Sequence, residues 1–321
     1  MHSFEALAKQ FSEKFNTRHF PDTLPSLYDP ATYFLSIGGK RIRPVICLMG
    51  NELFDAIQPD AWHVAHAVEL FHNFTLVHDD IMDKAPLRRG KQTVHAKYNE
   101  PTALLAGDVM IVTAYEYLSR VNPLHLPKIM HLFNKTAREV CEGQQLNMDF
   151  EERPTVTFDE YLHMITLKTS VLLAASIQMG AMLGGSGEGN QDHLYAFGKN
   201  LGIAFQLQDD YLDAFGDPDK FGKQPGGDII ANKKTFLTIQ ALEVAAPAQK
   251  KELLRLMKED PSDKVNRVLQ IFVDCKIDLW AKNLKDKYLS LALQHLEDIA
   301  VISSRKQPLQ ELALFLVQRQ Y

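Results

Sequence analysis

Cysteine is scarce in this chain: three residues, Cys47, Cys141 and Cys275, among 321. Their odd number and wide separation exclude a disulfide framework and the close Cys spacing of a zinc site, and fit reduced thiols in a reducing compartment. Glycine and proline are modest, 17 and 15 residues, too few for a collagen-like or low-complexity chain. Positive charge is not in excess. Thirty-five Lys and Arg against 40 Asp and Glu leave a net charge of −5, so nucleic acid, which is bound through clustered positive charge, is not an expected partner. A long apolar run is also missing. The stretch from Val171 to Gly185 contains Gln178 and falls short of the roughly 18 residues of a membrane span. Glu5 and Lys9 stand where a secretion signal would be apolar. The expectation is a cytoplasmic protein without a membrane span.

Sustained strand-like alternation is absent too. Apolar residues recur instead at i, i+3, i+4 and i+7, so the fold class is all-α. The pattern predicts helices over 3–15, 43–53, 61–83, 102–120, 127–150, 158–183, 191–215, 233–244, 247–257, 262–285, 288–299 and 308–318. Long antiparallel helices around one core account for the length, giving a single domain over 1–321 built from about 10–13 helices. Pro21, Pro25 and Pro30 read as breaks, and the Gly/Pro-rich stretch 216–228 as a long loop of the kind used for lids or binding.

Two segments resemble each other at an offset of 130 residues: Phe74-Thr-Leu-Val-His-Asp79-Asp80-Ile-Met-Asp83 and Ala204-Phe-Gln-Leu-Gln-Asp209-Asp210-Tyr-Leu-Asp213. In each, the first and last Asp lie one turn apart and about 40° around a helix, so each pair can grip one ion. Like charges one turn apart at the negative end of the helix dipole destabilise it by a few tenths of a kcal/mol. A cation offsets that cost. The donors are hard carboxylate oxygens, which suit Mg²⁺ or Ca²⁺ rather than zinc. Asp217-Pro-Asp219-Lys-Phe221 begins like a calcium loop but has Phe221 where the third oxygen ligand belongs. Mg²⁺ usually completes its shell with water and substrate phosphate, so a phosphate-bearing substrate is implied.

Cations accompany the acids. Gly38-Gly39-Lys40-Arg41-Ile42-Arg43-Pro44 is glycine-rich and basic without the spacing of a P-loop. Arg88-Arg89-Gly90 follows the first cluster and offers guanidiniums that can grip phosphate bidentately. Lys168-Thr169 interrupts an apolar helix, where a Lys must snorkel or meet an anion. Lys223, Lys233 and Lys234 follow the second cluster. His72 lies seven residues before Asp79, about 20° from it around the helix.

The ordered set formed by Gly39-Lys40-Arg41-Ile42-Arg43-Pro44, His72, Asp79-Asp80-x-x-Asp83, Arg88-Arg89, Gly143-Gln144, Lys168-Thr169, Gln206-x-x-Asp209-Asp210-x-x-Asp213, Gly222-Lys223 and Gly227-Asp228 resembles the trans-type polyprenyl synthetases, the isoprenyl diphosphate synthases. The likeness covers about residues 36–236, with a compatible helical tail. It implies the isoprenoid-synthase bundle around a central cavity, a homodimer, and two or three Mg²⁺ held by Asp79, Asp83 and Asp209, with Asp80 and Asp213 contributing less.

By the same resemblance, an allylic diphosphate is bound through Arg88, Lys168, Thr169, Gln206, Lys223 and Lys233, and isopentenyl diphosphate through Lys40, Arg43, His72 and Arg89. Asp79, Asp80, Asp83, Asp209, Asp210, Asp213 and Lys168 are the implied catalytic set. Departure of diphosphate leaves an allylic cation, the double bond of isopentenyl diphosphate attacks it, and a proton is lost to the released diphosphate. Water would quench the cation, so closure of the loop over 216–228 is expected.

Two positions depart from the family pattern. Asn147 replaces the Asp common three residues after the Gln of Gly-Gln, and the segment Val317-Gln-Arg319-Gln-Tyr321 has Arg319 alone where some farnesyl diphosphate synthases carry a basic cluster. Phe74 and Thr75, five and four positions before Asp79, occupy the chain-length positions. An aromatic followed by a small residue, with no insertion in the cluster, resembles the geranylgeranyl-forming type, with a farnesyl product as the alternative. A terpene cyclase would not need the Lys40, Arg43 and His72 site or two such similar clusters, and a non-catalytic partner subunit would be expected to lose one cluster.

Overall fold

The computed structural model describes residues 1–216 and 226–318. Among these the regular secondary structure is helical apart from a two-stranded hairpin, β1 (Leu87–Arg88) paired antiparallel with β2 (Lys91–Gln92). The residues group into two compact units, one of Met1–Asn134, Ala175–Leu194 and Ala300–Pro308, the other of Lys135–Ala174, Tyr195–Ile299 and Leu309–Tyr321.

The first unit is organised by α4 (Pro59–Met82), which packs against α3 (Ile42–Glu52) and α6 (Glu100–Leu118). Buried Ala61, Val64, Val68, Leu70, Phe71 and Val77 lie on several sides of α4, as a helix surrounded by others requires. Helices α1 (Phe4–Phe15) and α2 (Pro25–Ser36) and the short α5 (Val94–Lys97) complete the layer, α1 against α3, and α2 and α5 against α6. Two of these helices, α1 and α6, start on a side-chain cap. The Ser3 side chain accepts the Ala6 N–H at the head of α1, and Asn99 accepts that of Thr102 at the head of α6, satisfying donors the first turn cannot pair.

The second unit holds α8 (Phe158–Ile165), the C-terminal parts of α7 (Leu126–Glu152) and α10 (Glu188–Phe215), and helices Phe236–Val244, Pro247–Leu256, Lys264–Asp274 and Ile277–Glu297. Tyr161, Leu207, Phe236, Leu253, Leu256 and Phe272 are central to its core. Thr157 and Glu160 close a capping box at the head of α8.

Three sequence readings are corrected. Pro25 and Pro30 do not break the chain: Pro25 opens α2 and Pro30 lies inside it. Proline is at home in a first turn, and burial of Ala31, Phe34 and Leu35 outweighs the cost of the second one. The expected helices 262–285 and 288–299 divide instead at Cys275–Lys276, where Lys276 takes a left-handed φ of 56°. Neither Gly nor Pro marks that turn in the sequence. The run 158–183 is not one α-helix, because Thr166–Ser170 forms a π turn between α8 and α9 (Val171–Leu183). Taken together, Phe158–Leu183 is long and apolar enough to cross a membrane, yet 72% of its most apolar window is buried within the protein, the pattern of a core helix.

A histidine group lies behind α1. His19 bonds the Tyr117 hydroxyl at 2.9 Å and the Phe15 carbonyl at 2.7 Å, with the His66 ring 6.0 Å away. Burial first, then His66 and Arg41, lower the His19 pKa from 6.5 to about 4, against the opposing bond to Phe15. The folded chain therefore binds fewer protons than the unfolded one in that window, and stability is lost as pH falls from about 6.5 towards 4. Melting temperatures measured across that range should drop on acidification, and His19→Asn should flatten the decline.

Candidate active site

In the first unit the basic segment and α4 build one charged cluster. Arg41, in a left-handed conformation with φ of 52°, turns its side chain inward onto Glu69, forming an ion pair whose partners are 4% and 5% exposed. Its guanidinium also stands 4.8 Å over the Phe15 ring. Glu69 is held further by the Asn73 amide at 3.0 Å. Pairing of this kind is what allows a charge to remain buried. With Arg41 committed there, Arg43 reaches the next turn of α4, where its Nη1 meets His72 Nε2 at 3.1 Å.

His72 is held well below its ordinary pKa, chiefly by burial and then by the charges of Arg43, Arg89, Arg88 and Arg41. It is a neutral imidazole, and the contact assigns its Nε2 as acceptor and its proton to Nδ1. Burial lowers Arg43 to about 10, helped by Arg89 and opposed by Glu69. The buried Arg43 Nε has no hydrogen-bond partner in the structure described. Arg89, at φ of 51°, donates to the Gly38 carbonyl, and a side chain on Gly39 would lie 2.8 Å from its Nη1. Guanidiniums beside a neutral histidine, with one donor unanswered, are chemically suited to an anion. Lys40 is exposed on the same segment.

The two aspartate clusters share a plan. In each, the middle residue is buried and both of its oxygens are occupied. Asp80, 1% exposed, takes a fork from Arg88, with Nε at 2.9 and 3.0 Å and Nη2 at 2.8 Å. Asp210, 8% exposed, accepts the Tyr161 hydroxyl at 2.7 Å and the Gln206 amide at 2.8 Å. Burial, and then the Asp228 carboxylate, push Asp210 up to about 7 against those two hydrogen bonds. The outer residues stand further into solvent: Asp83 is exposed, and Asp79, Asp209 and Asp213 are partly so. These outer carboxylates are the ones that can offer hard oxygens to a divalent cation. Asp213 Oδ2 also accepts the Asp228 N–H at 2.9 Å.

In the second unit Lys168 and Thr169 sit on the π turn, and the Thr169 hydroxyl donates to Gln206 at 3.1 Å. Lys233 pairs with Asp228 at 2.8 Å. Its neighbour Lys234 has a different task, donating to the carbonyls of Phe150 and Glu151 at the end of α7, where helix carbonyls lack partners. Phe74 and Thr75 lie on α4. The Phe74 ring packs edge-on to His78 at 4.7 Å, and the Thr75 hydroxyl turns back to the His72 carbonyl. Lys223, Arg319 and most of the expected loop over 216–228 lie outside the described residues.

Sequence reading missed Tyr161, Glu69 and the inward role of Arg41. A usable signal existed for Tyr161. It precedes Lys168 by seven residues in an apolar segment, and a buried tyrosine hydroxyl needs an acceptor. Arg41→Ala should destabilise the fold by about 3–5 kcal/mol in denaturant titration, because it leaves Glu69 buried and unpaired, whereas Lys40→Ala should leave stability near that of the parent.

The sequence matches the Polyprenyl synthetase family over residues 24–273. It is 38% identical over 316 residues to a geranylgeranyl pyrophosphate synthase of Geoglobus acetivorans, covering 98% of this chain and 97% of that protein. A crystal structure of a geranylgeranyl pyrophosphate synthase superposes with a TM-score of 0.93 at 41% identity over 100% of both chains. The geranylgeranyl pyrophosphate synthetase of Pyrococcus horikoshii Ot3 gives 0.93 at 33% identity over 98% of each. Family members bind diphosphate with a divalent metal, and the outer carboxylates described above are chemically suited to one. With family match, relatives and fold in agreement, this chain belongs to the polyprenyl synthetase family of prenyltransferases.

Proposed function

We propose that the protein condenses isopentenyl diphosphate head-to-tail with an allylic diphosphate, giving an all-trans product of twenty carbons. The observation that carries this reading is the first-unit basic cluster, where Arg43 meets His72 at 3.1 Å, Arg89 donates to the Gly38 carbonyl beside it, and the buried Arg43 Nε is unanswered. A diphosphate anion fits that charge and that donor. Lys40, Arg43, His72 and Arg89 then hold isopentenyl diphosphate. The allylic diphosphate falls to Arg88, Lys168, Thr169, Gln206 and Lys233, with Lys223 as a further cation in the sequence.

Asp79, Asp83 and Asp209 are the proposed ligands of two or three Mg²⁺, with Asp80 and Asp213 subsidiary. When bound, the metal supplies Lewis-acid neutralisation of the departing diphosphate. The cationic side chains lower the cost of charge gathering on the leaving group. Dry apolar surroundings must then protect the allylic cation from water.

Twenty carbons is inferred from Phe74 and Thr75 on α4, with support from the geranylgeranyl pyrophosphate synthases to which the chain is similar. A homodimer is inferred from α6, which exposes Leu104 (49%), Leu105 (51%), Val112 (59%) and Tyr115 (37%). Sedimentation velocity tests it directly. A cytoplasmic location is inferred from the odd number and wide separation of the cysteines.

Purified protein supplied with Mg²⁺, isopentenyl diphosphate and dimethylallyl, geranyl or farnesyl diphosphate should yield a twenty-carbon product by chromatography. Asp79→Ala and Asp209→Ala should each lower turnover by at least about a hundredfold with unchanged circular dichroism, and near-parental turnover in either would sink the metal assignment. Phe74→Ala should lengthen the product. If the product distribution stays the same, Phe74 is not the floor of the chain-length pocket.

A further inference from the structure

A chain of hydrogen bonds in the second unit runs from Thr169 through Gln206 and Asp210 to Tyr161. The distances are 3.1 Å from the Thr169 hydroxyl to Gln206 Oε1, 2.8 Å from Gln206 Nε2 to Asp210 Oδ1, and 2.7 Å from the Tyr161 hydroxyl to Asp210 Oδ2. Both oxygens of Asp210 are thereby fixed, one from each side. Tyr161 is itself immobilised, 1% exposed and stacked on Phe236 at 5.8 Å.

The other end of the chain is fixed by shape. Thr169 belongs to the π turn Thr166–Ser170, and two glycines let neighbouring helices press onto that turn. A Cβ on Gly202 of α10 would fall 2.7 Å from Ser170 Cα and 2.8 Å from its Cβ. One on Gly143 of α7 would meet the Lys168 backbone nitrogen well inside contact distance. Real side chains do not approach so closely, so these positions must be glycine if Lys168 and Thr169 are to stay where they are.

We propose that Tyr161 is a positioning residue for the second aspartate cluster. With the glycine-seated π turn as the opposite anchor, its hydroxyl sets the plane of the Asp210 carboxylate, and through the shared end of α10 the directions in which Asp209 and Asp213 present oxygen to a divalent cation. Asp210 is then a brace rather than a ligand. Tyr161 thus takes in the second cluster the place that Arg88 takes beside Asp80 in the first. The proposal rests on the condensation reading above for its substrate, but its central observable is metal binding.

The test compares the parent chain with Tyr161→Phe, which keeps the ring on Phe236 and removes the donor alone. Mn²⁺ binding is followed by electron paramagnetic resonance in the presence of a non-hydrolysable allylic diphosphate analogue, together with the Mg²⁺ activation curve and both substrate KM values. Loss of a hydrogen bond to a buried carboxylate predicts about tenfold weaker Mn²⁺ binding and a matching rise in half-saturating Mg²⁺, with the KM for isopentenyl diphosphate unchanged. Unchanged Mn²⁺ affinity in a folded Tyr161→Phe protein overturns the proposal. So does a fall in melting temperature as the only effect.

If Tyr161→Phe does not fold, Gly202→Ala carries the test, since it displaces the π turn while leaving Tyr161 in its core. It must show the same weakening, and parental Mn²⁺ binding overturns the proposal. A parent chain that binds Mn²⁺ but makes no prenyl product would instead refute the condensation reading and leave the positioning role standing.

Discussion

A carboxylate placed among apolar side chains has to be met by donors, and the two aspartate clusters depend on that requirement. Each ends a long helix, where the backbone dipole is already unfavourable to negative charge. In each, the middle aspartate is drawn inward and satisfied by protein groups: Arg88 in one case, Tyr161 and Gln206 in the other. Once the middle residue is pinned, its neighbours one position before and three after are turned outward by helical geometry alone. The outward pairs are thus a by-product of an inward commitment.

The same economy governs the basic segment. Arg41 and Arg43 are two residues apart and so point in different directions from the start of α3. Arg41 is spent on Glu69 and the Phe15 face, and Arg43 is left to meet His72. A buried ion pair of this type adds little net stability over an apolar one. What it supplies here is a fixed starting point for α3, and with it a fixed reach for the second guanidinium. Neutral His72 belongs to that arrangement, since a protonated imidazole among four arginines would repel all of them.

Much of this was legible in the sequence. The helical period placed α4, α6, α7 and α10 to within a few residues, and the spacing of the acids put their outer members on one face. Order along the chain then made the family clear. What could not be read were features that depend on partners distant in sequence. Nothing local distinguishes Arg41 from Arg43 until Glu69, 28 residues on, is folded against one of them. The turn at Cys275–Lys276 carries no glycine or proline, and α2 carries two prolines and is still a helix. In both places tertiary packing overrides local preference.

The π turn carries a consequence for how this chain can vary. In register terms it is a one-residue insertion absorbed inside a helix, so everything before it is rotated by about 100° relative to an uninterrupted helix. Tyr161 lies before the turn and Thr169 within it, yet both serve the same pair of residues on α10. A deletion of one residue there would leave a perfectly acceptable α-helix, apolar and continuous, while swinging Tyr161 away from Asp210. Sequences could therefore cross that gap without any visible defect in helical pattern, and length rather than composition becomes the quantity under constraint between positions 161 and 169.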